Sequence, residues 1–168
     1  LENTPGLAKR ILRNYDLSPT DSAFVASSSG CNVVPIEIAQ EFQQRGVKVV
    51  ALISRRHSEA SESRHESGKK LHDFADLVLD TGAPVGDAMT AIDGMDTPVS
   101  PGSTVGGCMI VNALKAEVAV RMVKAGQPPT VLTAGALVGS ERATELFENA
   151  YDEHARCLAK LYENIGND

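Results

Sequence analysis

Two apolar runs placed one helix apart constrain this chain more than any other feature. Residues 23–26 form a short run that ends in Ser27-Ser28-Ser29-Gly30, and residues 47–53 form a longer one, nearly all β-branched or apolar. The second run has the composition of a strand covered on both faces, as in a parallel sheet. Between them, Val33, Val34, Ile36, Ile38, Ala39 and Phe42 make much of a helix apolar. Asn32 can cap that helix, Pro35 still lies in its first turn, and Gly46 is placed to end it. Strand, helix and strand of these lengths close as a right-handed βαβ unit. The serine loop then sits at a helix N-terminus, where unpaired amides and the helix dipole favour an anion.

The rest of the chain fits around this unit. Thr4-Pro5 is a helix start, with Leu7, Ile11, Leu12 and Tyr15 at roughly helical spacing to about Asn14. Residues 54–67 are polar and read as irregular, residues 68–74 as one short helix, and residues 77–79 as a third strand. A segment rich in Gly, Pro and Asp follows, with a strand expected near residues 89–92. Ser103 or Thr104 can cap a long helix that runs to about Lys124 and stops at Gly126. Pro128-Pro129 opens an extended passage. Ser140 caps the last helix, expected over about 140–163, whose Ala143, Phe147, Ala150, Tyr151, His154, Leu158 and Leu161 form an apolar stripe. Strands alternating with helices predict an α/β fold with a parallel sheet, in one domain over residues 1–168.

Composition narrows the function. The net charge of −6 argues against nucleic acid as a partner while leaving local phosphate sites open. No apolar run is read as reaching the roughly 20 residues that cross a bilayer. No secretory signal is legible, and Cys31, Cys108 and Cys157, odd in number and scattered, read as free thiols of a reducing, cytoplasmic compartment.

Ser27-Ser28-Ser29-Gly30-Cys31-Asn32, the helix after it and the strand ending at Ile53-Ser54 resemble the core of the sugar isomerase (SIS) domain, whose loop reads Ser-x-Ser-Gly-x-Thr/Ser. Pro101-Gly102-Ser103-Thr104 at a helix start resembles that family's second Ser-Thr element, which lines the same pocket. The resemblance extends over about residues 22–124, and is nearest to phosphoheptose-isomerase-like members and to a bacterial group with segments similar to His57-Ser58, Arg64-His65-Glu66-Ser67-Gly68-Lys69 and Gly86-Asp87. It implies a three-layer α/β/α, flavodoxin-like doubly wound fold with a mostly parallel sheet, a phosphorylated sugar as ligand, and a homodimer or larger homo-oligomer. Asn32 stands where the family has Thr or Ser, replacing a hydroxyl by an amide that still donates. The family's earlier strand, with a first Gly/Ser-rich loop, has no match. Together with an opening at Leu1 in what reads as the body of a helix, this leads to the expectation that an N-terminal strand and helix are missing.

In this reading Ser27, Ser28, Ser29, Gly30 and Asn32, with Ser103 and Thr104, bind the phosphate. The loop lies at the C-terminal end of a parallel strand, where α/β ligands bind. A dinucleotide fingerprint, Gly-x-Gly-x-x-Gly, is absent. Aldose–ketose isomerisation needs a base that moves a proton between adjacent carbons, and Glu117, His65 and His57 are the candidates. Glu117 and His65 are taken as the catalytic residues. Glu117 also has Arg121 four residues on, the spacing of a surface ion pair. Arg55, Arg56 and His57 add charge near the pocket mouth or form a solvated basic turn. His57, His65 and His72 make no recognisable zinc set, so neither metal nor cofactor is expected. The function expected is a sugar-phosphate aldose–ketose isomerase of phosphoheptose-isomerase type, or else a non-catalytic sugar-phosphate sensor.

Overall fold

Both apolar runs are strands of one parallel sheet in the computed structural model, which describes residues 1–163. The order is β1 (Ser22–Ala26), β2 (Lys48–Ile53), β3 (Leu77–Asp80), with Ser22 paired to Lys48 and Val50 to Leu77. β2 is central and the most buried, as its β-branched composition predicts. β1 is an edge strand whose Ala23 and Val25 are buried while Phe24 remains exposed. Helix α2 (Val33–Gln44) joins β1 to β2 and lays Ile36 and Ala39 on the sheet. Ile36, Val49, Ile53 and Leu71 are fully buried there, each contributing roughly 2 kcal/mol by removal from water. Helix α1 (Leu7–Leu12) packs on α2 through Ala8 and Leu12.

Two features were not legible as drawn from sequence. Residues 55–60 are not irregular but form helix α3 (Arg55–Ala60), with Ser54 as its cap; the Ser54 Oγ accepts from the His57 N–H at 3.2 Å. At six residues it carries no apolar stripe, so periodicity gives it no signal. The predicted helix at 68–74 shrinks to a 3₁₀ turn at Leu71–Phe74, whose start is fixed by the Asp73 carboxylate accepting from the Lys70 N–H at 2.7 Å. Beyond β3, β4 (Ala88–Thr90) and β5 (Val99–Pro101) form a small antiparallel pair.

The chain divides into two units, residues 1–112 and the part from Ala113 on. Helix α4 (Gly102–Lys124) begins in the first unit. Its start comes close to the sheet's second face: a Cβ at Gly106 would lie 2.3 Å from the Thr81 carbonyl oxygen, and one at Gly107 would touch Leu52. Leu52 alternates with Val49, Ala51 and Ile53 along β2, so helices cover opposite faces of the sheet, as the α/β fold class requires. α4 also corrects the membrane reading: its 23 residues are long and apolar enough, by length and composition alone, to cross a bilayer, a test that core helices of soluble proteins also pass. The second unit holds the rest of α4, α5 (Gly135–Val138) within the passage read as extended, and the amphipathic α6 (Ser140–Glu163).

Candidate ligand-binding site

The serine loop leaves the C-terminal end of β1 beside the end of β2. The Ser27 N–H donates to the Leu52 carbonyl at 3.0 Å and the Ser54 N–H donates to the Ser28 carbonyl at 2.8 Å, so both strand ends are tied together. The loop then turns through Gly30 at φ 63, where a Cβ would come within 3.1 Å of the Leu71 Cβ. Only glycine takes this left-handed, closely packed position without strain. Hydroxyls hold the turn from inside: the Ser27 Oγ accepts from the Gly30 N–H at 3.3 Å, and the Ser29 Oγ accepts from the Cys31 N–H at 3.2 Å. The Ser28 Oγ is buried and has no partner among the described residues, a state that costs free energy unless something else completes it.

Asn32 occupies the cap position of α2, as expected, but its side chain makes no cap bond. The first helical amides are served from elsewhere. The Val33 N–H donates to Asn3 Oδ1 at 3.4 Å and the Val34 N–H donates to the Glu2 carbonyl at 2.9 Å. Residues near the chain's start thus take the capping role that the Asn32 Oδ1 would otherwise fill.

An open cleft of about 530 Å³ adjoins the loop, lined by Ser29, Cys31, Asn32, His57, Ser61, Glu62, Ser63 and Arg64. Of the residues expected to hold phosphate, Ser29 and Asn32 reach this wall; Ser27, Ser28 and Gly30 shape the turn behind it. Arg64 and His57 bring basic groups, and Glu62 an acidic one. The Arg64 N–H donates to the Cys31 carbonyl at 2.9 Å, which brings residues 61–64 over the serine loop. This wall was missed from sequence because residues 61–64 lie some thirty positions from the loop in an aperiodic, polar segment, where Arg64 reads as one charged residue among several.

The other expected residues have local partners. His65 is tied into its own turn, where its Nδ1 accepts from the Ser67 N–H at 3.2 Å and lies 2.7 Å from the Ser67 Oγ. Glu117, in the second unit, pairs with the Arg121 Nε at 2.8 Å, and both side chains are exposed. The Ser103 hydroxyl donates to Asp87 Oδ2 at 2.7 Å and the Ser103 N–H to Asp87 Oδ1 at 2.6 Å, so a carboxylate already occupies the start of α4; Thr104 beside it is exposed. Asp80, at the end of β3, accepts from the Gly82 and Arg55 N–H groups, which in that order hold its carboxyl below its ordinary value. No cluster of three or more His, Cys, Asp or Glu suited to a metal occurs among the described residues.

The SIS domain family model matches residues 1–54, which cover α1, β1, the serine loop, α2 and β2. UPF0309 protein BH3325 of Halalkalibacterium halodurans is 38% identical over 151 residues, 90% of this chain and 62% of that protein. UPF0309 protein GK1441 of Geobacillus kaustophilus is 34% identical over 163 residues, 97% of this chain and 65% of that protein. UPF0309 protein Teth39_1980 of Thermoanaerobacter pseudethanolicus is 39% identical over 142 residues, 83% of this chain and 58% of that protein. The chain thus spans somewhat under two thirds of the length of these relatives. Residues 1–54, which carry the serine loop at the end of β1, thus match the SIS domain, and most of the chain is similar to the bacterial UPF0309 proteins.

Proposed function

We propose that this protein binds a phosphorylated sugar, with the phosphate seated on the serine loop and the sugar in the adjoining cleft. One observation carries the reading: Ser29 and the uncapped Asn32 amide face the same cleft as Arg64, at the N-terminus of α2. Hydroxyl, amide and guanidinium donors gathered at a helix N-terminus suit a phosphate dianion without a metal. The Ser103 hydroxyl is engaged by Asp87, so the cradle is drawn around the serine loop. The protein acts in the cytoplasm as a homodimer or larger assembly.

Within this reading the ligand is a substrate of aldose–ketose isomerisation. A second reading, a sensor that binds without turnover, is favoured by the engagement of both candidate bases, His65 with Ser67 and Glu117 with Arg121. The two separate on one preparation. Thermal-shift titration with a panel of sugar phosphates, each beside its parent sugar and inorganic phosphate, should show stabilisation by a phosphosugar and not by the parent sugar. Ser29→Ala and Asn32→Ala should each weaken that binding roughly tenfold, the loss expected of one hydrogen bond to a charged group. Unchanged affinity in both variants removes the serine loop as the site. Isomerised product with the best ligand, lost in Glu117→Gln or His65→Gln, supports the enzyme; tight binding with no product supports the sensor.

A further inference from the structure

His57 is held on three sides. Its N–H donates to the Ser54 Oγ at 3.2 Å, its carbonyl accepts from the Ser61 Oγ at 2.7 Å, and its ring Nδ1 accepts from the Gly86 N–H at 3.1 Å. Ser54 is itself fully buried, and its hydroxyl donates to the Ala83 carbonyl at 2.7 Å, so the base of α3 is fixed. The Gly86 amide is equally constrained. The next residue, Asp87, sits at φ 70, its carboxylate accepts from both donors of Ser103, and its carbonyl accepts from the Gly102 N–H at 2.7 Å. A backbone amide can only donate. The Gly86 bond therefore requires the lone pair on Nδ1, and the proton of the neutral ring lies on Nε2. His57 lines the cleft and Gly86 does not.

From this arrangement we propose that His57 presents a fixed Nε2–H to the cleft and donates it to an oxygen of the ligand's sugar, a hydroxyl or carbonyl close to the phosphate. Asp87 is the positioning residue behind it, keeping the Gly86 amide in place. The inference rests on the serine-loop reading above and adds the group that distinguishes a sugar phosphate from phosphate alone. The ring acts as a donor and no proton leaves it.

The test uses two substitutions that divide the ring's functions. His57→Asn keeps an oxygen near the Nδ1 position for Gly86 but cannot reach as far as Nε2; His57→Gln places an amide donor near Nε2 and gives up the Gly86 bond. The probes are inorganic phosphate, fructose 6-phosphate, glucosamine 6-phosphate and sedoheptulose 7-phosphate, titrated calorimetrically into the full chain. At least one phosphosugar should bind more tightly than inorganic phosphate. His57→Asn should lower that affinity about tenfold while leaving inorganic phosphate unchanged, and His57→Gln should stay within about threefold. Ser29→Ala should weaken both classes of ligand. If His57→Asn binds the phosphosugar like the parent protein while Ser29→Ala loses it, the His57 role falls and the loop reading stands. If Ser29→Ala loses neither, the loop reading falls as well. No phosphosugar bound better than inorganic phosphate also overturns the proposal. Independently of any ligand, long-range ¹⁵N correlation spectra should report the Nε2–H tautomer for His57; the Nδ1–H tautomer would refute the arrangement.

Discussion

Single residues decide how the sheet meets its loops, and Asp76 is the clearest case. Its carboxylate accepts from the Lys48 Nζ at 2.7 Å and from the Val49 N–H at 2.8 Å, fastening the entry to β3 onto β2. The Lys48 hydrogen bond, and after it the Val49 amide, lower the Asp76 carboxyl below its ordinary value. A carboxyl depressed in the folded state stabilises the fold above its unfolded value, about pH 4, and that contribution is lost as pH falls through the folded value. Asp76→Asn should therefore flatten the loss of stability below about pH 4 in urea-unfolding midpoints measured across the acid range; an unchanged acid limb would show that Asp76 does not contribute. The Asn32 position shows what the residue scale conceals. Sequence identifies it as the cap of α2, and the backbone agrees, yet the bonds that satisfy that helix come from Glu2 and Asn3, thirty residues earlier. A cap made by a distant segment leaves no trace in the local pattern.

At the scale of elements, the parts with a strong period were legible. β1, α2 and β2 follow from apolar spacing, because burial against a sheet selects side chains at each repeat, while the long α4 was legible from its Ser103-Thr104 start and its Gly126 stop. α3, the 3₁₀ turn and the β4–β5 pair follow instead from single hydrogen bonds to Ser54, Asp73 and Asp87, which no period announces. The same division applies to the site. Its loop was legible as a motif at a strand end, whereas the opposite wall, Ser61 to Arg64, exists because the Arg64 amide reaches the Cys31 carbonyl. Asp87 is the sharpest of these devices, since its two oxygens take both donors of Ser103 at the first turn of α4. Asp87→Ala should cost about 1 kcal/mol, the value of a lost helix cap. It should also raise amide exchange at Ser103, whose N–H donates to the carboxylate, above that of mid-helix α4 residues. Exchange unchanged at that amide would mean that the helix start is held by something other than the Asp87 carboxylate.

At the scale of the whole molecule, apolar surface remains to be covered. Met109, Val118, Val120 and Val123 on α4, and Phe147, Tyr151 and Leu158 on α6, are exposed. If a second copy covers them, light scattering at micromolar concentration should give twice the 17.8 kDa of the chain, and Met109→Lys with Val118→Lys should shift the mass to that of a monomer. A monomeric mass in the unsubstituted protein would refute the dimer. The Asp87 carboxylate bears on a different molecular property, the valence of the ligand. Because the amide and hydroxyl at the start of α4 are already neutralised by a fixed negative charge, that end of the helix has nothing to offer a second phosphoryl group and would repel one brought near. If the ligand is a sugar phosphate seated on the serine loop, as proposed above, a sugar carrying a single phosphate should outcompete the corresponding bisphosphate.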